Sequence, residues 1–97
     1  MELREARPVT VWVPGELMKR TGNRRRVAAV GQTVRDVIDC LDRDFPGLGF
    51  NLRHETGELR PYVNVFLDGE DVRYLGGLDT PVGDGATVHI IHSVAGG

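Results

Sequence analysis

One stretch of this chain carries the period of a helix, and it decides what the remainder has to supply. Val34, Val37, Ile38, Leu41 and Phe45 recur at i, i+3, i+4, i+7 and i+11, which puts them on a single stripe of a helix. Thr33, just before the stripe, is an N-cap residue. Asp36 resembles the acidic half of a capping box and sets a negative charge near the helix N-terminus. Pro46-Gly47 stops the helix. Arg35, Asp39 and Arg43 line the opposite side at i, i+4 spacing, where an ion pair adds a few tenths of a kcal/mol at most. An apolar stripe on one helix has to be buried against another layer, and the flanking segments read as a sheet.

Val9, Val11 and Val13 alternate with Thr10 and Trp12, the period of a strand with one face on a core, and Pro14-Gly15 ends it. Residues 16–24 are polar and contain Thr21-Gly22-Asn23, which reads as a wide loop into a second strand at about 25–30. These two strands are expected to pair as a hairpin. Over residues 48–60 the pattern lapses, and Glu55-Thr56-Gly57-Glu58 looks like an exposed turn. Tyr62-Val63-Asn64-Val65-Phe66-Leu67 alternates again, with Val63, Val65 and Leu67 toward the core. Asp68-Gly69 is a tight-turn signal before a short strand, Asp71-Val72-Arg73-Tyr74. Thr87-Val88-His89-Ile90-Ile91-His92 is β-branched and apolar, as suits a central strand. Strand, strand, helix, strand, short strand, strand is the order of a β-grasp. This is an α+β fold in which a mixed sheet of four to five strands wraps around one helix. With 97 residues the chain is expected to form one domain over its whole length, 1–97.

Several function classes are disfavoured by composition. The chain is 40% hydrophobic and 27% charged, an ordinary balance, and no apolar run approaches the ~20 residues that span a bilayer. No basic, then apolar, leader opens the sequence, so a cytoplasmic location and no membrane partner are expected. Cys40 is the only cysteine, which excludes an intrachain disulfide; it has no basic neighbour or Cys-X-X-Cys partner and reads as an inert thiol. A net charge of −2 and a pI near 5.9 argue against nucleic acid as a partner. Lys19, Arg20, Arg24, Arg25 and Arg26 concentrate positive charge at the first hairpin, but no aromatic residues interleave them, so a solvated loop is the simpler reading. Gly76-Gly77 and Gly83-Asp84-Gly85 lack the spacing of a phosphate-binding loop. His89 and His92 fall on opposite faces of one strand and His54 lies in a distant loop, so no metal site is expected.

After the last strand come Ser93, Val94, Ala95, Gly96 and Gly97. Two glycines can lie extended in a channel too narrow for any side chain, which would leave the terminal carboxylate as the reactive group. That group, with a pKa near ~3.5, is an anion at neutral pH and a poor electrophile until an energy source such as ATP activates it. Residues 94–97 therefore read as a flexible reactive tail, with Gly96 and Gly97 as its working part.

The run from Thr87 to the Gly-Gly end resembles ubiquitin in pattern. The resemblance is sharper for the ubiquitin-like sulfur carriers of the ThiS and MoaD type, and sharpest for their CysO-like branch. The features shared with that branch are Val63-Asn64-Val65, Asp68-Gly69-Glu70-Asp71-Val72-Arg73, Gly76-Gly77-Leu78 and Val94-Ala95-Gly96-Gly97. This resemblance implies a protein co-substrate rather than an enzyme. Its Gly97 carboxylate would be adenylated by an E1-like enzyme of the ThiF or MoeB type, using ATP and magnesium held by that enzyme. The adenylate would then become a thiocarboxylate that gives its sulfur to an accepting synthase. Cysteine, thiamin, molybdopterin and secondary-metabolite pathways all use this device. Two alternatives share the fold: a modifier conjugated to lysines, and a β-grasp adaptor with an incidental tail. Parity sends Trp12, Phe66, His89 and Ile91 outward, at positions similar, for the last three, to the docking patch of ubiquitin. With Val94 and Ala95 they form the expected partner-binding set of a carrier that is monomeric when free.

Overall fold

A computed structural model describes residues 7–93. Val94, Ala95, Gly96 and Gly97, for which tail and partner-binding roles are expected, lie outside the described residues.

The alternating segments form strands where their patterns place them. These are β1 (Val9–Trp12), β2 (Arg26–Ala29), β3 (Val63–Leu67), β4 (Glu70–Asp71) and β5 (Thr87–His92), in a five-stranded sheet of order β2-β1-β5-β3-β4. β1 and β5 run parallel and every other neighbouring pair antiparallel, so the sheet is mixed and β5 is its centre. Val9, Val11, Val27, Ala29, Val63, Val65, Val88 and Ile90 are all buried. Against them α1 (Val34–Asp44) lays Val34, Val37, Ile38 and Leu41, none more than 2% exposed, where full burial contributes ~1.5–3 kcal/mol per side chain. The capping box forms as expected. Asp36 N–H donates to Thr33 Oγ1 at 3.2 Å, and Thr33 N–H donates to Asp36 Oδ2 at 3.3 Å. The turn between β3 and β4 has positive φ at Asp68 (49°) and Gly69 (90°), as a two-residue primed turn requires. The result is the α+β β-grasp architecture.

Four local expectations are corrected. Residues 16–24 are not an open loop: Gly15–Thr21 is a 3₁₀ helix that buries Leu17 and Thr21. The Thr21 hydroxyl, fully buried, donates to the Arg24 carbonyl at 2.7 Å, and Gly22 and Asn23 end the helix with φ of 64° and 63°. A single apolar side chain facing the core was too weak a periodic signal to mark it. Residues 48–60 likewise contain a helix, α2 (Leu48–Leu52), whose Leu48 and Leu52 are fully buried at i, i+4. Five residues are too few to show a period, and α2 is held by tertiary contacts, including Gly49 N–H to Asp42 Oδ1 at 3.0 Å. The short strand is Glu70–Asp71, not 71–74. Asp71 Oδ1 accepts the Arg73 N–H at 2.9 Å and turns the chain into a 3₁₀ helix, Val72–Tyr74, an instance of a side chain competing with the ladder for a backbone donor. Arg35, Asp39 and Arg43 do not pair with one another. Arg35 reaches Asp79 at 3.1 Å and Asp39 accepts from Arg53 at 2.8 Å, because partners on other elements lie nearer than the next helical turn.

Candidate functional site

The face of the sheet turned away from α1 carries one in-register row. Arg26 pairs with Trp12, Trp12 with His89, His89 with Phe66, and Phe66 with Asp71, so five neighbouring strands each contribute one side chain. Registered partners project to the same side of a sheet, which confirms the outward parity read for Trp12, Phe66 and His89. The Trp12 and His89 rings stack with centroids 5.8 Å apart and planes 4° from parallel. The Arg26 guanidinium lies 5.6 Å from the centroid of the Trp12 ring, within cation–π range. Trp12, His89 and Phe66 are therefore half-buried by one another, while Ile91, diagonal to Phe66 and opposite Asn64, is 44% exposed. Those four predicted residues form one patch.

Through Ile91 the patch adjoins the C-terminal end of β5. Pairing of β5 with β1 ends at Trp12 and His89, since Pro14 has no N–H to extend the ladder, whereas pairing with β3 continues to Val63 and His92. An open groove of about 380 Å³ results, lined by Trp12, Pro14, Glu16, Arg25, His89 and Ile91 among others. His92 faces the other side from His89; its ring meets Tyr62 edge-on at 4.9 Å, and its Nδ1 is buried without a partner among the described residues. The described residues contain no cluster of three or more His, Cys, Asp or Glu side chains placed to hold a metal ion. Cys40 is buried in the core, its sulfur 3.5 Å from the Val30 N–H and 3.7 Å from an Asp44 carboxylate oxygen.

The cationic residues divide into two groups. Lys19 and Arg20, in the last turn of the 3₁₀ helix, and Arg24 just after it are exposed and form no ion pair among the described residues. Arg25 and Arg26 instead border the groove and the aromatic row. Sequence reasoning missed that association, because it depends on the register that sets Arg26 opposite Trp12, which only the folded sheet fixes. It also gave no role to Asn64 and Arg73, whose side chains meet on the outward face next to Ile91.

Comparison with known proteins is consistent with this geometry. The ThiS family matches residues 11–97. The sulfur carrier protein CysO of Mycobacterium tuberculosis is 40% identical over 91 residues, covering 92% of this chain and 98% of its own. The CysO-type fold in the crystal structure of an Amycolatopsis orientalis BexX/CysO complex superposes with a TM-score of 0.86 at 40% identity, over 92% of this chain and 99% of that one. Small archaeal modifier protein 3 of Haloferax volcanii is 42% identical over 65 residues, 67% of this chain and 70% of its own. By the family match and by these identities over most of its length, the chain belongs to the ThiS family.

Proposed function

We propose that this protein is a sulfur carrier: a co-substrate, not an enzyme, whose Gly97 carboxylate is adenylated and then converted to a thiocarboxylate. One observation carries the reading. The outward patch of Trp12, His89 and Phe66 continues along β5 through Ile91 toward Ser93, the last described residue before Val94-Ala95-Gly96-Gly97, so a partner that grips the patch lies beside the end of the strand that precedes those residues. The sulfur-carrier relative, matched over nearly its full length, supports the same role.

The partner is an E1-like adenylating enzyme of the ThiF or MoeB type that holds ATP and magnesium. A Gly97 carboxylate oxygen attacks the α-phosphate of ATP, pyrophosphate leaves, and the acyl carbon becomes electrophilic. A donor at the oxidation level of hydrosulfide then attacks that carbon and AMP departs. The product is a thiocarboxylate, a soft nucleophile for an accepting synthase. What this chain contributes is recognition and delivery: the outward patch binds, and the two glycines admit the terminus to a narrow channel. The carrier is monomeric when free and works in the cytoplasm, where ATP is supplied.

Co-expression with the adenylating enzyme followed by intact-mass measurement tests the proposal. Replacement of one oxygen by sulfur at the C-terminus is the expected result, and it should disappear in Gly96→Ala and on deletion of Gly97 while the fold stays intact. The likeness to an archaeal modifier supports a second reading, conjugation to lysines, which would instead produce mass ladders on other proteins.

A further inference from the structure

We propose that Arg73 and Asn64 are positioning residues that hold Ser93 against the start of β3 and so fix the point from which the chain continues beyond β5. Arg73 is exposed, yet its guanidinium has no carboxylate partner among the described residues. It is spent on neutral acceptors at the start of β3: the Val63 carbonyl at 2.7 Å, the Arg60 carbonyl at 3.4 Å, and Asn64 Oδ1. A planar fork held by three acceptors is a fixed geometry, not a solvated side chain. Asp71 sets its approach by accepting the Arg73 N–H.

With its oxygen engaged by Arg73, the Asn64 amide has one orientation left. Its Nδ2 faces Ser93 Oγ at 3.4 Å. The Ser93 N–H donates to the Tyr62 carbonyl at 2.7 Å, which makes Ser93 the last described residue tied to the sheet. Because β5 has lost β1 beyond His89, the start of β3 is, among the described residues, the strand that supports Ile91, His92 and Ser93. Arg73 braces that start through two of its carbonyls. The brace also lies on the outward face, since Asn64 is registered opposite Ile91. A Ser93 held in one place removes conformations that would otherwise be lost on docking to a partner.

This inference rests on the sulfur-carrier reading, and its test separates the two. In the free protein, Arg73→Met should speed hydrogen exchange of the Ser93 amide by roughly three- to tenfold, the effect of losing about one hydrogen bond, with the Val88 and Ile90 amides unchanged. In ATP–pyrophosphate exchange with the adenylating enzyme, Arg73→Met and Ser93→Ala should each raise KM for the carrier by a similar factor at constant kcat. The double variant should be no worse than either single one, as expected for members of one chain of contacts. Equal acceleration of all amides, additive effects of the two substitutions, or an unchanged KM would overturn the positioning role and leave Arg73 a structural brace. If the unaltered protein supported no pyrophosphate exchange at all, the carrier reading would fall and positioning with it, whatever happened at Ser93.

Discussion

Phe66 and Gly31 show how much one side chain, or the lack of one, decides here. Phe66 sits between His89 and Asp71 on the outward row and packs nothing beneath the sheet, so Phe66→Ala should cost little stability. It should weaken binding to the adenylating enzyme by roughly 1–3 kcal/mol, the range for an aromatic interface anchor. Titration calorimetry beside a thermal melt checks both halves: unchanged affinity with an intact fold rejects the patch. Gly31 lies where β2 turns toward α1. A Cβ built there would come within 2.7 Å of Asp36 Cβ and 2.8 Å of the Val37 backbone nitrogen, inside the first turn of the helix. Neither atom is the free end of a flexible chain, so Gly31→Ala should destabilise by ~1–3 kcal/mol, more than the entropy an alanine recovers. Equilibrium denaturation measures it, and a variant as stable as the parent would show that the turn relaxes freely.

At the scale of elements, the informative contrast is between α1 and α2. The longer helix announces itself by a stripe and two capping residues, which lie where their spacing puts them except that Phe45 ends the helix as its half-buried C-cap. The shorter has five residues, no side-chain cap on its Gly47 N-cap, and two leucines one turn apart. Its existence depends on what Leu48 and Leu52 touch, and Leu52→Ala should therefore cost about 2–5 kcal/mol, as for a fully buried leucine. The loss should be accompanied by melting of the segment from α2 to the turn at Arg53 and Leu59, visible as new rapid exchange there. A small loss confined to Leu52 itself would mean that the segment is held by its own turns.

For the molecule as a whole, the central position of β5 ties recognition to stability. The strand that leads into the tail is also the one flanked by β1 and β3, and it carries Val88 and Ile90 into the core while His89 and Ile91 face outward. The buried apolar residues form one cluster, so unfolding should be a single cooperative transition. Native-state exchange should find the slowest amides at Val88, Ile90, Val65 and Val11, with β2 and β4, the two sheet edges, opening at lower cost. Exchange at Val88 as fast as at β4 would contradict a β5-centred core. Under the proposed function, a partner that engages the row would act on the least deformable strand.

What the amino-acid sequence by itself determined is whatever repeats along the chain. Alternation set β1, β3 and β5 and the faces of Trp12, Phe66, His89 and Ile91; the helical stripe and capping residues set α1; Asp68-Gly69 set its turn. Periods and caps are local, so each is legible without knowing what lies opposite. Tertiary structure alone decided the remainder. The helix at Leu48–Leu52, the partners of Arg35 and Asp39, the alignment of five strands' side chains into one row, and the meeting of Arg73, Asn64 and Ser93 all depend on residues that are not neighbours in the chain. Such contacts leave no period, because a hydrogen bond between residues 29 positions apart requires only that the sheet bring them together.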